Sequence, residues 1–74
     1  MVLGMNKFSI ETEQEKDGRW IAEVLELAGA LCYGKTREEA IARVEALSLR
    51  ILADRLETEG AAIPFGGVAF SPTA

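Results

Sequence analysis

The first third of the chain carries two segments in which apolar and polar residues alternate. Residues 7 to 14 (KFSIETEQ) and residues 20 to 25 (WIAEVL) both follow this pattern. A period of two is typical of a half-buried β-strand, because successive side chains point to opposite faces. The pattern predicts two neighbouring strands, whose shared apolar side is formed by Phe8, Ile10, Thr12, Trp20, Ala22 and Val24.

The loop between these strands determines their register. A two-residue turn at Asp17 and Gly18 would place Val24 opposite Glu11 and mix apolar with charged side chains on each face. A three-residue loop, with a type I turn followed by Gly18 in the left-handed conformation, keeps one face apolar throughout. This loop predicts the pairs Thr12 with Ala22, Ile10 with Val24, and Gln14 with Trp20.

A short strand and a long helix are predicted next. Residues 30 to 33 (ALCY) lie between two glycines and have the composition of a strand. Thr36 followed by Glu39 is the pattern of a capping box, and residues 40 to 57 then repeat apolar positions at helical spacing. The helix is therefore amphipathic and is expected to cover the sheet. The side facing the sheet comprises Ile41, Val44, Leu47, Ser48, Ile51, Leu52 and Arg55.

The end of the chain, residues 61 to 74, contains no charged residue. Its apolar positions predict a fourth strand at the edge of the sheet, with Pro64 near the strand start. The right-handed crossover rule carries the helix across one face and orders the sheet as third, second, first and fourth strand. The apolar positions of this fourth strand are Ile63, Phe65, Val68 and Phe70.

The whole chain, residues 1 to 74, is predicted to be one α+β domain with the order β-β-β-α-β. In it, three antiparallel strands and a fourth edge strand carry one long helix on one face. Residues 1 to 6 are expected to be disordered or to precede the native start, and residues 71 to 74 to form a flexible tail.

The composition excludes several classes of active site. The chain has no histidine and one cysteine, so histidine triads, His-ligated metals and internal disulfides are excluded. Eight basic and twelve acidic residues give a net charge of −4, which argues against binding to a nucleic-acid backbone. No signal peptide or apolar span is evident, so a cytoplasmic protein away from membranes is expected. No cofactor or metal is expected.

One motif resembles a phosphate-binding loop. Residues 29 to 36 (GALCYGKT) satisfy the spacing G-x-x-x-x-G-K-[ST]. Such a loop turns its backbone amides inward around an anion, whereas Leu31, Cys32 and Tyr33 favour an extended strand. We therefore interpret the glycines as bounding a strand, Thr36 as a helix cap and Cys32 as an ordinary strand residue.

The predicted hairpin concentrates the negative charge of the chain. Residues 11 to 26 contain six acids and two bases, a net of −4 that equals the charge of the whole molecule. The predicted register places Glu11 directly opposite Glu23, and like charges in that position are destabilising. A solvated surface or a binding surface would both show this pattern, and apolar residues among the acids favour binding. The candidate partner-binding residues are Glu11, Glu13, Ile21, Glu23 and Leu25.

A second surface is predicted to mediate self-association. A chain of this length buries only roughly 60% of its unfolded surface on folding. Yet 49% of its residues are hydrophobic. Two leucines lie beside the sheet-facing side of the helix, and the edge strand carries no charge that would discourage pairing. A homodimer or tetramer is expected, with an interface formed by Leu49, Leu56, Phe65, Val68 and Phe70.

Several short motifs together resemble the HicB-like antitoxins. They are Asp17-Gly18-Arg19-Trp20, Ala22-Glu23-Val24, Leu27-Ala28-Gly29 and Gly34-Lys35-Thr36-Arg37-Glu38-Glu39-Ala40, followed by a long helix. The resemblance covers residues 7 to 64, and its most specific part is Gly34-x-Thr36-x-Glu38-Glu39-Ala40. The family often has Pro-Gly-Cys where this chain has Ala28-Gly29-Ala30.

The resemblance implies a partial ribonuclease-H-like fold and the neutralisation of a small, basic, RNA-cleaving toxin of the HicA type. Many such antitoxins carry a DNA-binding domain after this module. This sequence contains none, so direct nucleic-acid binding is not expected.

Two alternatives to the antitoxin interpretation follow from the residues. Nuclease chemistry of the two-metal kind needs carboxylates that converge from several elements, and residues 60 to 74 contain none. Glu11, Glu13 and Glu45 need not share a face, so no catalytic residue is expected. The other alternative is an orphan homo-oligomeric domain without a toxin partner.

Overall fold

The computed structural model describes residues 6 to 58 and 68 to 73. In this part of the chain the elements are β1 (Asn6–Gln14), β2 (Trp20–Val24), β3 (Leu31–Gly34), α1 (Arg37–Thr58) and β4 (Val68–Pro72). The four strands form one sheet in the order β3-β2-β1-β4. β1 pairs with β2 and β2 with β3 in antiparallel fashion, whereas β1 and β4 are parallel. The predicted α+β class and strand order are confirmed.

The β1–β2 hairpin has the predicted register. Ile10 pairs with Val24, Thr12 with Ala22, and Gln14 with Trp20. The Gly18 N–H donates to the Glu15 carbonyl oxygen at 2.9 Å, and Gly18 has a φ of 93°. These contacts define the three-residue loop with a left-handed glycine, so the polarity of the two faces was sufficient to determine the register.

The start of α1 is fixed by Thr36. The Glu39 backbone N–H donates to Thr36 Oγ1 at 3.0 Å, as in a capping box. The Glu39 carboxylate accepts a hydrogen bond from the Lys35 N–H at 2.7 Å, one residue before the usual position. The helix begins at Arg37, directly after the predicted cap, and the residues before residue 40, where the apolar pattern starts, form its first turn.

Replacing Thr36 by alanine is expected to lower the free energy of unfolding by about 1 kcal/mol, because the Glu39 N–H loses its acceptor. Urea denaturation followed by circular dichroism measures this change. Thr58→Ala, at the exposed last residue of the same helix, is the matched control and is expected to change stability by less than about 0.5 kcal/mol. Equal effects of the two substitutions would contradict the assignment of Thr36 as the cap.

The core lies between α1 and the sheet. α1 packs on β1, β2 and β3, and its buried residues are Ala40, Val44 and Ser48. Ser48 is fully buried, but its hydroxyl donates to the Val44 carbonyl oxygen at 2.7 Å, so no polar group is left unsatisfied there. Arg55, predicted to face the sheet, is exposed instead, because α1 extends beyond its buried segment by that point. The buried apolar residues are Phe8, Ile10, Ala22, Val24, Leu27, Ala30, Ala40 and Val44.

The segment that resembles a phosphate-binding loop is a strand followed by a helix cap, as interpreted from the sequence. β3 occupies residues 31 to 34, and Cys32 pairs with Ala22 in the sheet. Gly34 lies so close to the first turn of α1 that a Cβ atom there would be 2.5 Å from the Ala40 nitrogen. Gly34 therefore permits the close approach of β3 and α1.

The fourth strand lies beside β1 and extends further than predicted. Its pairs with β1 reach Ile10 with Pro72, and the Thr73 N–H donates to the Ile10 carbonyl oxygen at 2.8 Å. Ser71 and Pro72 therefore belong to the strand, and their assignment to a flexible tail is corrected. Asn6, assigned to the disordered start of the chain, is the first residue of β1 and pairs with Val68, so that assignment is also corrected. The predicted strand positions Ile63 and Phe65, and the predicted disorder of residues 1 to 5, lie outside the described residues.

An arginine joins the end of β4 to the rest of the fold. Arg37 Nη2 donates to the Thr73 carbonyl oxygen, and Arg37 Nε donates to Thr12 Oγ1, both at 3.1 Å. One side chain at the start of α1 thus contacts both β1 and the end of the chain. In the described part of the chain, no helix is long and apolar enough to cross a membrane.

Candidate partner-binding face

The sheet has one face without a helix, here called the outer face. Because side chains alternate along a strand, the residues of β1 and β2 that do not enter the core point to this side. Glu11 pairs directly with Glu23, and Glu13 pairs with Ile21. These four predicted residues line one shallow, open depression of about 410 Å³, together with Thr12 and Thr73. The structure therefore brings together four of the five predicted partner-binding residues.

Leu25, the fifth predicted residue, lies just after β2. Its N–H donates to the Ser9 carbonyl oxygen at 3.2 Å, and its side chain is 52% exposed. Ile21, which we expected to be exposed, is half-buried. β2 is an interior strand, so Ile21 has neighbours on both sides, Glu13 on β1 and Tyr33 on β3.

Two further apolar residues of the outer face were missed by the sequence analysis. Leu31 pairs with Glu23 and Tyr33 pairs with Ile21, and both side chains are exposed by about two fifths. Their position follows from the hairpin register once it is extended to β3. The exposed and half-buried apolar residues now form an apolar strip beside the acids, made of Ile21, Leu25, Leu31 and Tyr33.

One corner of the outer face carries an arginine that is already engaged. The Arg19 guanidinium lies 4.6 Å from the centre of the Tyr33 ring, and Arg19 Nε is 2.8 Å from an oxygen of Asp17. The hydrogen bond from the Arg19 backbone N–H, helped by the guanidinium, lowers the pKa of Asp17 below its ordinary value. Arg19 therefore neutralises Asp17 in the turn and lies over the Tyr33 ring, which stays partly exposed.

The acids of the hairpin have two different roles. The Glu26 carboxylate accepts a hydrogen bond from the Ser9 N–H at 2.8 Å, which lowers the pKa of Glu26. By contrast, no ion pair or side-chain hydrogen bond among the described residues involves Glu11, Glu13 or Glu23. The side chains of these three residues are exposed to solvent.

The chemistry available on this face is binding by charge and apolar contact. In residues 6 to 58 and 68 to 73, no group of three or more acidic or thiol side chains is arranged to hold a metal ion. Cys32 is half-buried on β3 and packs against the core.

The residues predicted to form an oligomer interface lie on two different elements. Leu49 is half-exposed on α1, Leu56 is half-buried on the same helix, and Val68 begins β4. The Phe70 ring is half-buried and lies 5.7 Å from the Phe8 ring, so this side chain contacts the domain's own core. Phe65 lies outside the described residues.

Comparison of the chain with protein-family models, curated proteins and solved structures found no match in any of the three.

Proposed function

We propose that this chain is a non-enzymatic, cytoplasmic antitoxin that binds a small basic RNA-cleaving toxin of the HicA type through its outer face. The observation that carries the proposal is the direct pairing of Glu11 with Glu23 without a neutralising cation among the described residues. The motifs that resemble HicB-like antitoxins support the same function. In this proposal the sheet and its helix are a partial ribonuclease-H-like fold.

The paired acids are unfavourable for the isolated domain. Like charges directly opposite each other on a sheet destabilise it by a few tenths of a kcal/mol or more. A basic partner removes this repulsion, because its cations lie between the carboxylates. Binding of a basic partner therefore relieves a destabilising repulsion of the free protein. A surface that is only solvated would have no need for such a repulsion.

The apolar strip provides binding affinity that the charges alone do not. Charged residues around an interface mainly accelerate and orient encounter, whereas buried apolar and aromatic anchors contribute most of the affinity. Leu25, Leu31 and Tyr33 are exposed beside Glu23. The outer face therefore combines three apolar anchors with an acidic surround, as binding surfaces do.

A protein that cleaves RNA is a suitable partner for such a face. It must carry Lys and Arg to hold the phosphate backbone, so its RNA-binding surface is positive. The carboxylates of Glu11, Glu13 and Glu23 would attract this surface and compete with phosphate for it. Binding there would block access of RNA without any reaction on the antitoxin.

The proposal predicts that a small basic reading frame whose expression arrests growth lies beside this one, and the test is to coexpress the two. The parent chain should restore growth, and the double variant Glu11→Lys, Glu23→Lys should not. With purified proteins, the variant should associate on the order of tenfold more slowly at low salt. The difference should shrink as ionic strength rises.

The matched control is the double variant Asp54→Lys, Glu57→Lys on the exposed side of α1, which changes the net charge by the same amount. It should neutralise the partner as well as the parent does. Equal loss in both double variants would mean that only net charge matters, and full activity of the Glu11, Glu23 variant would contradict the proposed face.

A second candidate function is an orphan homo-oligomeric domain of the same kind, without a toxin. It is favoured by the half-exposed Leu49 and its neighbour Leu56 on α1. Absence of a growth-arresting reading frame beside this one would support this second function over the first.

A further inference from the structure

The two edges of the sheet differ in how their backbone groups are used. A sheet edge presents unpaired N–H and C=O groups that can pair with another strand. β3 and β4 are the two edge strands of the described sheet. An edge whose N–H and C=O groups have no partner can accept a further strand.

The β3 edge is partly occupied by groups of its own chain. The Val24 N–H donates to the Ala30 carbonyl oxygen, so alternation turns the backbone groups of Leu31 and Tyr33 away from β2. The Tyr33 carbonyl oxygen then accepts a hydrogen bond from Arg43 Nη1 at 3.1 Å. The Leu31 N–H donates to the Gly29 carbonyl oxygen at 3.1 Å. Arg43 and the turn before β3 thus engage two of the four outward backbone groups of Leu31 and Tyr33, which hinders strand addition at this edge.

The β4 edge is open as far as the structure describes the chain. The Thr73 N–H donates to the Ile10 carbonyl oxygen, so alternation turns the N–H and C=O of Phe70 away from β1. Among the described residues, no turn, cap or side-chain hydrogen bond reaches these two groups. The five residues of β4 carry no charge that would repel an approaching strand.

The Phe70 ring indicates what such a strand would cover. The ring lies on the helix side, at 5.7 Å from Phe8, and it is half-buried at the margin of the core. α1 packs mainly on β1, β2 and β3. An aromatic side chain on an added strand would therefore cover the part of the ring that α1 leaves exposed.

We propose that a second copy of this chain pairs with β4 in antiparallel orientation about a two-fold axis that passes between the two Phe70 residues. Phe70 then lies opposite Phe70 of the second copy, and the two residues exchange both backbone hydrogen bonds. The remaining pairs are Ala69 with Ser71 and Val68 with Pro72. The result is one eight-stranded sheet with both outer faces on the same side.

A second copy fits this edge better than an unrelated strand. The two-fold register places each Phe70 ring beside the other and brings no charges together within β4. Pro72, which lacks an N–H, falls only at the ends of the paired segment. Since the two-fold pairing uses the β4 edge of both copies, neither copy has a β4 edge left for a third chain, and association through β4 stops at two chains.

The proposal is independent of any toxin and is tested on the full chain alone. Sedimentation velocity at micromolar concentration should show a dimer for the parent. Ala69→Lys, which places a cation on the open edge, should yield a monomer. Ala46→Lys, at an exposed position of α1, is the matched control and should stay dimeric. A monomeric parent, or a dimer that Ala69→Lys leaves intact, would overturn the proposal.

A cross-linking experiment tests the register even if Ala69→Lys does not fold. Two variants are prepared in a Cys32→Ser background, one with Ala69→Cys and one with Ser71→Cys. These positions face each other across the proposed axis as a closely spaced pair, which is compatible with a disulfide. The mixture should form the mixed disulfide at least tenfold faster than either variant forms its own. Equal rates in all three samples would overturn the proposed pairing.

Discussion

Replacing Gly34 by alanine is expected to lower the free energy of unfolding by about 2 to 3 kcal/mol. The new Cβ atom would lie 2.5 Å from the Ala40 nitrogen and 2.9 Å from the Ala40 Cα. Both are backbone atoms in the first turn of α1, so no side-chain rotation relieves the contact. β3 and α1 must separate, which opens the core beside Ala40.

Gly18→Ala is the matched control, because it tests a glycine with a different role. Gly18 has a φ of 93°, and a Cβ atom there would meet nothing within 4 Å. Its replacement should cost only about 1 kcal/mol, from the left-handed backbone alone. Urea unfolding followed by Trp20 fluorescence suits both variants, since Trp20 pairs with Gly34 in the sheet. If Gly34→Ala is no more destabilising than Gly18→Ala, β3 and α1 are not held as closely as described.

The hairpin could be predicted from the sequence because polarity distinguishes its possible registers. Only the three-residue loop keeps Glu11 and Glu23 together on one face and Ile10 and Val24 together on the other. The strand order followed from chain connectivity and the handedness of the crossover. Neither inference needed a three-dimensional contact.

Features that depend on close packing could not be predicted in the same way. Gly34 was recognised as the end of a strand, but its distance from Ala40 exists only after α1 has packed on β3. Leu31 and Tyr33 belong to a four-residue strand with an unbroken apolar sequence, which shows no alternation. Their face became clear only through their partners on β2.

The candidate site was predicted in part for the same reason. Glu11, Glu13 and Glu23 were placed correctly because alternation determines the direction of side chains on an interior strand. Glu26 was counted with them, yet its carboxylate binds the Ser9 N–H and serves the fold. That hydrogen bond joins residues far apart in the sequence, so a charge pattern alone does not reveal it.

Substitutions at two adjacent residues of β1 are expected to have different effects on the free energy of unfolding. Ile10 is fully buried between β2 and β4, so Ile10→Ala should lower the free energy of unfolding by about 3 to 4 kcal/mol. A domain of this length has a total stability on the order of 4 to 11 kcal/mol, so the loss is a large fraction of it. Urea denaturation of the parent and the variant at the same concentration measures the difference.

Glu11→Gln, one residue further on, should leave stability unchanged or raise it by a few tenths of a kcal/mol. The substitution keeps the shape of the side chain but removes the repulsion from Glu23 across the hairpin. The same variant should weaken binding of the basic partner, because a carboxylate of the outer face is lost. A gain in stability together with a loss of binding would show that Glu11 serves recognition rather than folding. A loss of stability close to that of Ile10→Ala would instead mean that Glu11 stabilises the fold. The proposed binding role of Glu11 would then fail.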